Sequence, residues 1–175
     1  MLNCILNILL LLLMHPVGNY QEAQPSDIQG VIKLAKYASW PDEKQNGKTI
    51  IMIAPQSDES YQLALDNSAN SKILGSEVEI RRLSNIDEAI SQSDIIFMES
   101  GSDVDVGKVI EMSAGRQILT VTNDMEIFEK GCMFYVKQDQ ATGEITYFYN
   151  KEAVLNSTLG ISTHILAPEH KYHKQ

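Results

Sequence analysis

The feature that most constrains this chain is an alternation of short, β-branched apolar runs with stretches of helical periodicity. Thr49 to Ala54 (TIIMIA), Asp94 to Met98 (DIIFM) and Gln117 to Thr122 (QILTVT) are near-continuous apolar runs, the pattern of strands covered on both faces. Glu77 to Leu83 (EVEIRRL) alternates instead, as a strand with one wetter side does. Between these runs, Tyr61, Leu63 and Leu65 fall in a helix, Ile86 to Ile90 forms a short one, and Val104 to Met112 carries a stripe of Val106, Val109 and Ile110. Alternation at this pitch predicts an α/β fold in three layers, a mainly parallel sheet with helices on both faces.

The flanks complete the layout. Ser26 or Asp27 is placed to cap a helix that buries Ile28, Val31, Ile32, Ala35 and Ala38. That helix is expected to end near Ser39-Trp40, because Pro41 disfavours helical geometry in the residue before it. Asp42 to Lys48 reads as a loop. Beyond the parallel strands, Cys132 to Lys137 and Glu144 to Asn150 flank a short Gly-containing loop, which predicts an antiparallel C-terminal hairpin extending the sheet. Lys151 to Leu159 and Ile161 to Leu166 read as helix, broken at Gly160, and His170 to Gln175 as a polar tail. With no internal repeat or linker, residues 21–175 read as a single domain.

The first twenty residues read differently. Ile8 to Met14 is an unbroken apolar run that stops at His15-Pro16. Its length suits a signal peptide and falls short of the ~18 to 20 residues that span a bilayer. Residues 1–20 are therefore expected to be a signal peptide and the remainder a soluble, exported product. Cys4 precedes the apolar run, so it is not a lipid-attachment site. Its removal leaves Cys132 as the one cysteine, in a strand-like run that suits a buried core thiol.

A net charge of −9 with no cluster of Lys and Arg excludes nucleic acid and disfavours anionic lipid as partners. Catalytic signals are equally sparse. No Gly-x-Ser-x-Gly, Gly-x-Gly-x-x-Gly or phosphate loop follows a strand. His164, His170 and His173 crowd the C-terminus, where a polar tail accounts for them better than a metal site. Asp103 and Asp105 suit helix capping better than acid–base work, and Asn156-Ser157-Thr158 on a helix is a chance match to a glycosylation acceptor. No cofactor, metal or catalytic residue is expected.

Three stretches, in order, resemble the YfiR family of small periplasmic proteins. Val31 to Pro41, ending Tyr37-Ala-Ser-Trp40-Pro41, is similar to the family's opening helix. Asp94 to Met98 followed by Ile118 to Thr122 resembles its central strands. Gly131-Cys-Met133, then Ile145 to Asn150, then Leu159-Gly160-Ile161-Ser162 resemble its glycine–methionine turn, its aromatic strand ending in Asn and its final segment. The motif residues are thus Trp40, Pro41, Gly131, Asn150, Gly160 and Ser162. Each also has a structural reading: Trp40 as an anchor under the sheet, Asn150 as a helix cap, Tyr147 and Tyr149 sharing one strand face with Phe148 on the other. The chain departs from the family where Phe148 replaces an acidic residue, where Cys132 replaces a second glycine, and in lacking cysteine pairs.

The resemblance implies a non-catalytic periplasmic regulator, akin to repressors of a membrane diguanylate cyclase in cyclic di-GMP signalling, with a membrane signalling protein as partner. A homodimer is compatible with it. The other reading is a periplasmic module that binds a small ligand at the carboxyl ends of the parallel strands.

Overall fold

The computed structural model describes residues 27–40, 47–139 and 141–166. The expectations for the signal peptide, for Pro41 and for His170 and His173 lie outside the described residues. Seven strands form one sheet in the order β3-β4-β2-β5-β6-β7-β8. They are β2 Lys48–Ala54, β3 Lys72–Ile73, β4 Ser76–Arg82, β5 Ile95–Met98, β6 Leu119–Thr122, β7 Phe134–Gln138 and β8 Ile145–Tyr149. The five from β4 through β7 run parallel, and β3 and β8 close the two sides antiparallel. The predicted parallel sheet and C-terminal hairpin are both present.

Helices cover both faces. On one lie α1 (Ile28–Ala35) and α2 (Asp58–Ser68), with a core of Ile51, Ile53, Ile95, Phe97, Leu119, Val121 and Phe134. On the other lie α3 (Ile86–Gln92), α4 (Val106–Ser113) and α5 (Met125–Glu129), over Met52, Ile96, Met98, Phe128, Cys132 and Tyr135. The central strands β5 and β6 are buried at every position, which is why their sequences show no alternation. A short sixth helix, α6 (Lys151–Asn156), follows β8.

Side-chain caps set several helix starts. Ser57 and Ser60 form a reciprocal capping box on α2, Asn85 caps α3, Asp105 caps α4 and Asp124 caps α5. Helix α1 crosses β7 and β8 at Gly30. A Cβ at that position would stand 2.5 Å from Val136 Cγ1 and 3.3 Å from Ile145 Cγ2. Glycine is required there by the closeness of helix and sheet.

The structure corrects several sequence expectations. Helix α1 ends at Ala35, not near Ser39-Trp40. Ala38–Ser39 instead forms a strand, β1, paired antiparallel with β9 (Gly160–Ile161). Residues 161–166 are therefore not helical; after β9 they turn tightly, with Ile165 N–H donating to Ser162 C=O and Leu166 N–H to Thr163 C=O. The helix after Asn150 stops at Asn156, short of Leu159. Nonlocal pairing captures both segments, and Leu159 and Ile165 are buried in the core under α1. Strand β4 lies where the alternating run Glu77 to Leu83 placed it, whereas β3, its hairpin partner, and helix α5 emerge where no element was expected.

Candidate functional site

The parallel sheet has two ends, and they are built differently. At the carboxyl end the strand order reverses between β2 and β5, the crevice where doubly wound folds hold ligands. Helix α2 begins there, and its free N–H groups would favour an anion. The chain supplies that anion itself. Glu99, nearly buried at 9% exposure, accepts from the Gln56 N–H at 2.8 Å and from the Ser60 hydroxyl at 2.6 Å. A phosphate entering the crevice would meet a fixed carboxylate. Beyond it the loops are stitched together. Thr122 donates through Oγ1 to the Met98 carbonyl at 2.7 Å, and Ser100 Oγ donates to Asp124 Oδ2 at 2.7 Å. The Ser100 hydroxyl, aided by the capped N–H groups of Ile127 and Glu126, holds the Asp124 carboxyl below its usual range. Asn123 bridges onward from the Ser100 N–H to the Asp27 carboxylate.

Beside this seam a cleft of about 350 Å³ lies between Arg82-Leu83-Ser84 and Ser102 to Asp105. Arg82 is ion-paired with Asp58 at 2.7 Å and lies 4.6 Å from the centre of the Tyr61 ring. Ser102 Oγ is buried there with no hydrogen-bond partner among the described residues. Asp105 accepts from the Lys108 N–H at 3.1 Å as the α4 cap, and Asp103 is exposed on the rim.

The amino end gathers the sequence motifs. Trp40 is half-buried, and its indole N–H donates to the Gln117 carbonyl, just before β6, at 2.9 Å. Gly131 has φ +123°, and a Cβ there would lie 3.3 Å from Ile110 Cγ2, so its place in the turn before β7 needs glycine. Next to it the Met133 N–H donates to Thr120 Oγ1 at 3.0 Å, and the Asn150 N–H to the Met133 carbonyl at 2.9 Å. Asn150 Oδ1 then accepts from the N–H groups of Glu152 and Ala153 at 3.1 and 3.2 Å, capping α6. Gly160 packs against Ser39 in the β1–β9 pair, and the Ser162 N–H donates to the Tyr37 carbonyl at 2.8 Å. Trp40, Gly131, Asn150 and Gly160, far apart in sequence, thus share one end of the sheet.

Gly131 and Asn150 line a groove of about 360 Å³ there, with Ile110, Met133 and Ala153 on its apolar wall and Glu129, Lys130 and Glu152 among its polar groups. A second hollow reaches from Gly115, which lines both, to Gln117 and Thr158. Leu155 on α6 is 71% exposed, on a different face of the helix from the groove residues Glu152, Ala153 and Asn156. Neither the groove nor the Glu99 arrangement was visible in sequence. The polar Lys151-Glu152 start of α6, which leaves Leu155 without a buried face, was the available signal.

Cys132 is fully buried, and burial pushes its thiol up to about 12. Among the described residues no three His, Cys, Asp or Glu side chains gather as a metal site. His164 is exposed, its N–H near Ser162 Oγ at 3.4 Å. No described helix is long and apolar enough to cross a membrane.

No curated protein matches the chain. The YfiR/HmsC-like family profile matches residues 27–167, a span that takes in every described residue.

Proposed function

The chain belongs to the YfiR/HmsC-like family, and from that premise we propose that it is a periplasmic, non-catalytic regulator that restrains a membrane signalling protein, a diguanylate cyclase by class. In this reading residues 1–20 are a cleaved signal peptide and residues 21–175 one domain. The observation that carries it is the gathering of Trp40, Gly131, Asn150 and Gly160 at the amino end of the sheet, where Gly131 and Asn150 line a groove walled in part by α6, the helix that also bears the exposed Leu155. This reading assigns that groove to the periplasmic part of the membrane partner. An apolar side chain in water beside a mixed-charge rim matches the anatomy of a protein interface. The carboxyl end favours it too, because Glu99 already takes up the Gln56 N–H and the Ser60 hydroxyl at the start of α2 and sets a negative charge where a phosphate would have to sit.

Deleting the gene should raise cellular cyclic di-GMP. Wild-type complementation should restore it, whereas a Leu155→Asp variant that folds normally should not. Full repression by Leu155→Asp would remove the exposed face of α6 from the interface.

The second reading, a small-ligand module, rests on the carboxyl-end cleft and the unpartnered Ser102 hydroxyl. It predicts that Ser102→Ala alters a ligand response while Leu155→Asp does not.

A further inference from the structure

The groove at the amino end has two unlike walls. One is formed where α4 and α5 end, by Ile110, Ser113 and Gly115 and by Lys130 and Gly131. Both of those helices are anchored from beneath, α4 by buried Val106 and Val109 and α5 by buried Ile127 and Phe128. The other wall is α6, through Glu152, Ala153 and Asn156, continued by Ser157. No residue of α6 is buried.

The hydrogen bonds of α6 close on themselves. Asn150 Oδ1 accepts from the Glu152 and Ala153 N–H groups, and the Asn150 carbonyl accepts from the Val154 N–H at 3.0 Å. At the other end the Val154 carbonyl accepts from the Ser157 N–H at 3.2 Å and from the Ser157 hydroxyl at 2.9 Å. Among the described residues, no hydrogen bond or ion pair joins residues 151–158 to anything outside 150–158. Firm attachment comes at the flanks. Before α6, the Asn150 N–H donates to the Met133 carbonyl at 2.9 Å. After it, Leu159 is buried and Gly160–Ile161 pairs with Ala38–Ser39. Along α6 itself there remains the packing of half-buried Ala153 and Val154 against the α1-side core. An isolated helix is marginal even at roughly 12 to 15 residues, and a shorter one depends on a buried face. Helix α6 has six residues and no such face.

We infer that α6 is the movable wall of the groove: residues 151–158 open and reclose as one unit between fixed points at Asn150 and Leu159, while the sheet stays folded. Ser157 lines the groove and Thr158 the neighbouring hollow, with Gly115 lining both. Opening the segment that carries Ser157 and Thr158 therefore joins the two into one longer channel, against an opposite wall that keeps its shape. The inference concerns the chain alone and stands apart from the regulatory reading. Where a partner enters the groove, α6 is the wall that closes on it.

The test is native-state amide hydrogen exchange of the purified chain over a series of sub-denaturing urea concentrations. The Val154 and Ser157 amides should be protected, but roughly a hundredfold or more less than those of Phe97 and Val121 in the central strands. Their exchange should depend little on urea, because a local opening exposes little surface. Asn150→Ala should speed it about fivefold through loss of the cap. Leu155→Pro breaks α6 at an exposed position. It should leave Phe97 and Val121 protected, and weaken the overall folding equilibrium by no more than the closed-to-open ratio that exchange gives for α6. Val154 and Ser157 amides that exchange together with those of Phe97 and Val121, at one rate and with one urea dependence, would overturn the inference. So would a Leu155→Pro chain whose sheet does not fold, or a wild-type α6 with no protection at all, a wall that never closes.

Discussion

The Trp40 indole N–H reaches the Gln117 carbonyl at 2.9 Å across 77 positions of sequence, tying the segment after α1 to the loop that feeds β6. The half-buried ring also packs against the α1-side core. Trp40→Ala should therefore cost about 2 kcal/mol, below the roughly 3 to 5 of a fully buried aromatic. Trp40→Phe should recover part of that loss. Urea denaturation of the two variants checks the order.

At Gly30 the direction of change is opposite to helix propensity. Alanine would gain about 1 kcal/mol in an isolated helix, but its methyl would collide with Val136 Cγ1. Gly30→Ala should destabilise by about 1 to 3 kcal/mol. Val136→Ala in the same chain should recover much of it, so that the double variant is more stable than the two single losses summed. Simple additivity in chemical denaturation would contradict the close approach.

Cys132 should behave as a core atom. Its thiol, raised from 9.0 to about 12 by burial, remains protonated in the folded chain over a range in which the unfolded chain ionises. The associated stability is complete below about pH 9 and is lost as pH rises towards 12. Cys132→Ala should flatten part of that alkaline decline. The native protein should resist alkylation and melt at the same temperature with or without reductant. Rapid native labelling would contradict the burial.

The central sheet was legible because burial on both faces leaves a plain mark, unbroken runs such as Ile95–Met98 and Leu119–Thr122. The Asn150 and Asp105 caps were legible because a short polar side chain before a helical stripe satisfies local backbone donors. Elements that depend on distant partners were not. The β1–β9 pair joins Ala38 to Ile161, and the apolar spacing of residues 161–166 reads as helix until that pairing claims it. The β3–β4 turn places Leu74 at φ +49° before Gly75 at φ +93°, a conformation that leucine does not advertise. The candidate site shows the same division: Gly131 and Asn150 could be singled out by type and order, but their meeting in one groove is tertiary.

Glu99 supplies a further prediction. Removing its carboxylate leaves the Gln56 N–H and the Ser60 hydroxyl without their acceptor. Glu99→Ala should destabilise by about 1.5 to 3 kcal/mol, as expected for hydrogen bonds to a charged group. Glu99→Gln should lose less. A Glu99→Gln variant as stable as the wild type would mean that the carboxylate charge contributes nothing at the start of α2.

Regulation from the periplasm without catalysis is tested most directly by cyclic di-GMP in a deletion strain complemented with three forms of the gene. These are the exported chain, a chain lacking residues 1–20, and an exported chain with His164, His170 and His173 all replaced by alanine. The account predicts that both exported forms restore the low wild-type level and that the unexported form leaves it raised. Restoration by the unexported form, or failure of the histidine-free form alone, would contradict it.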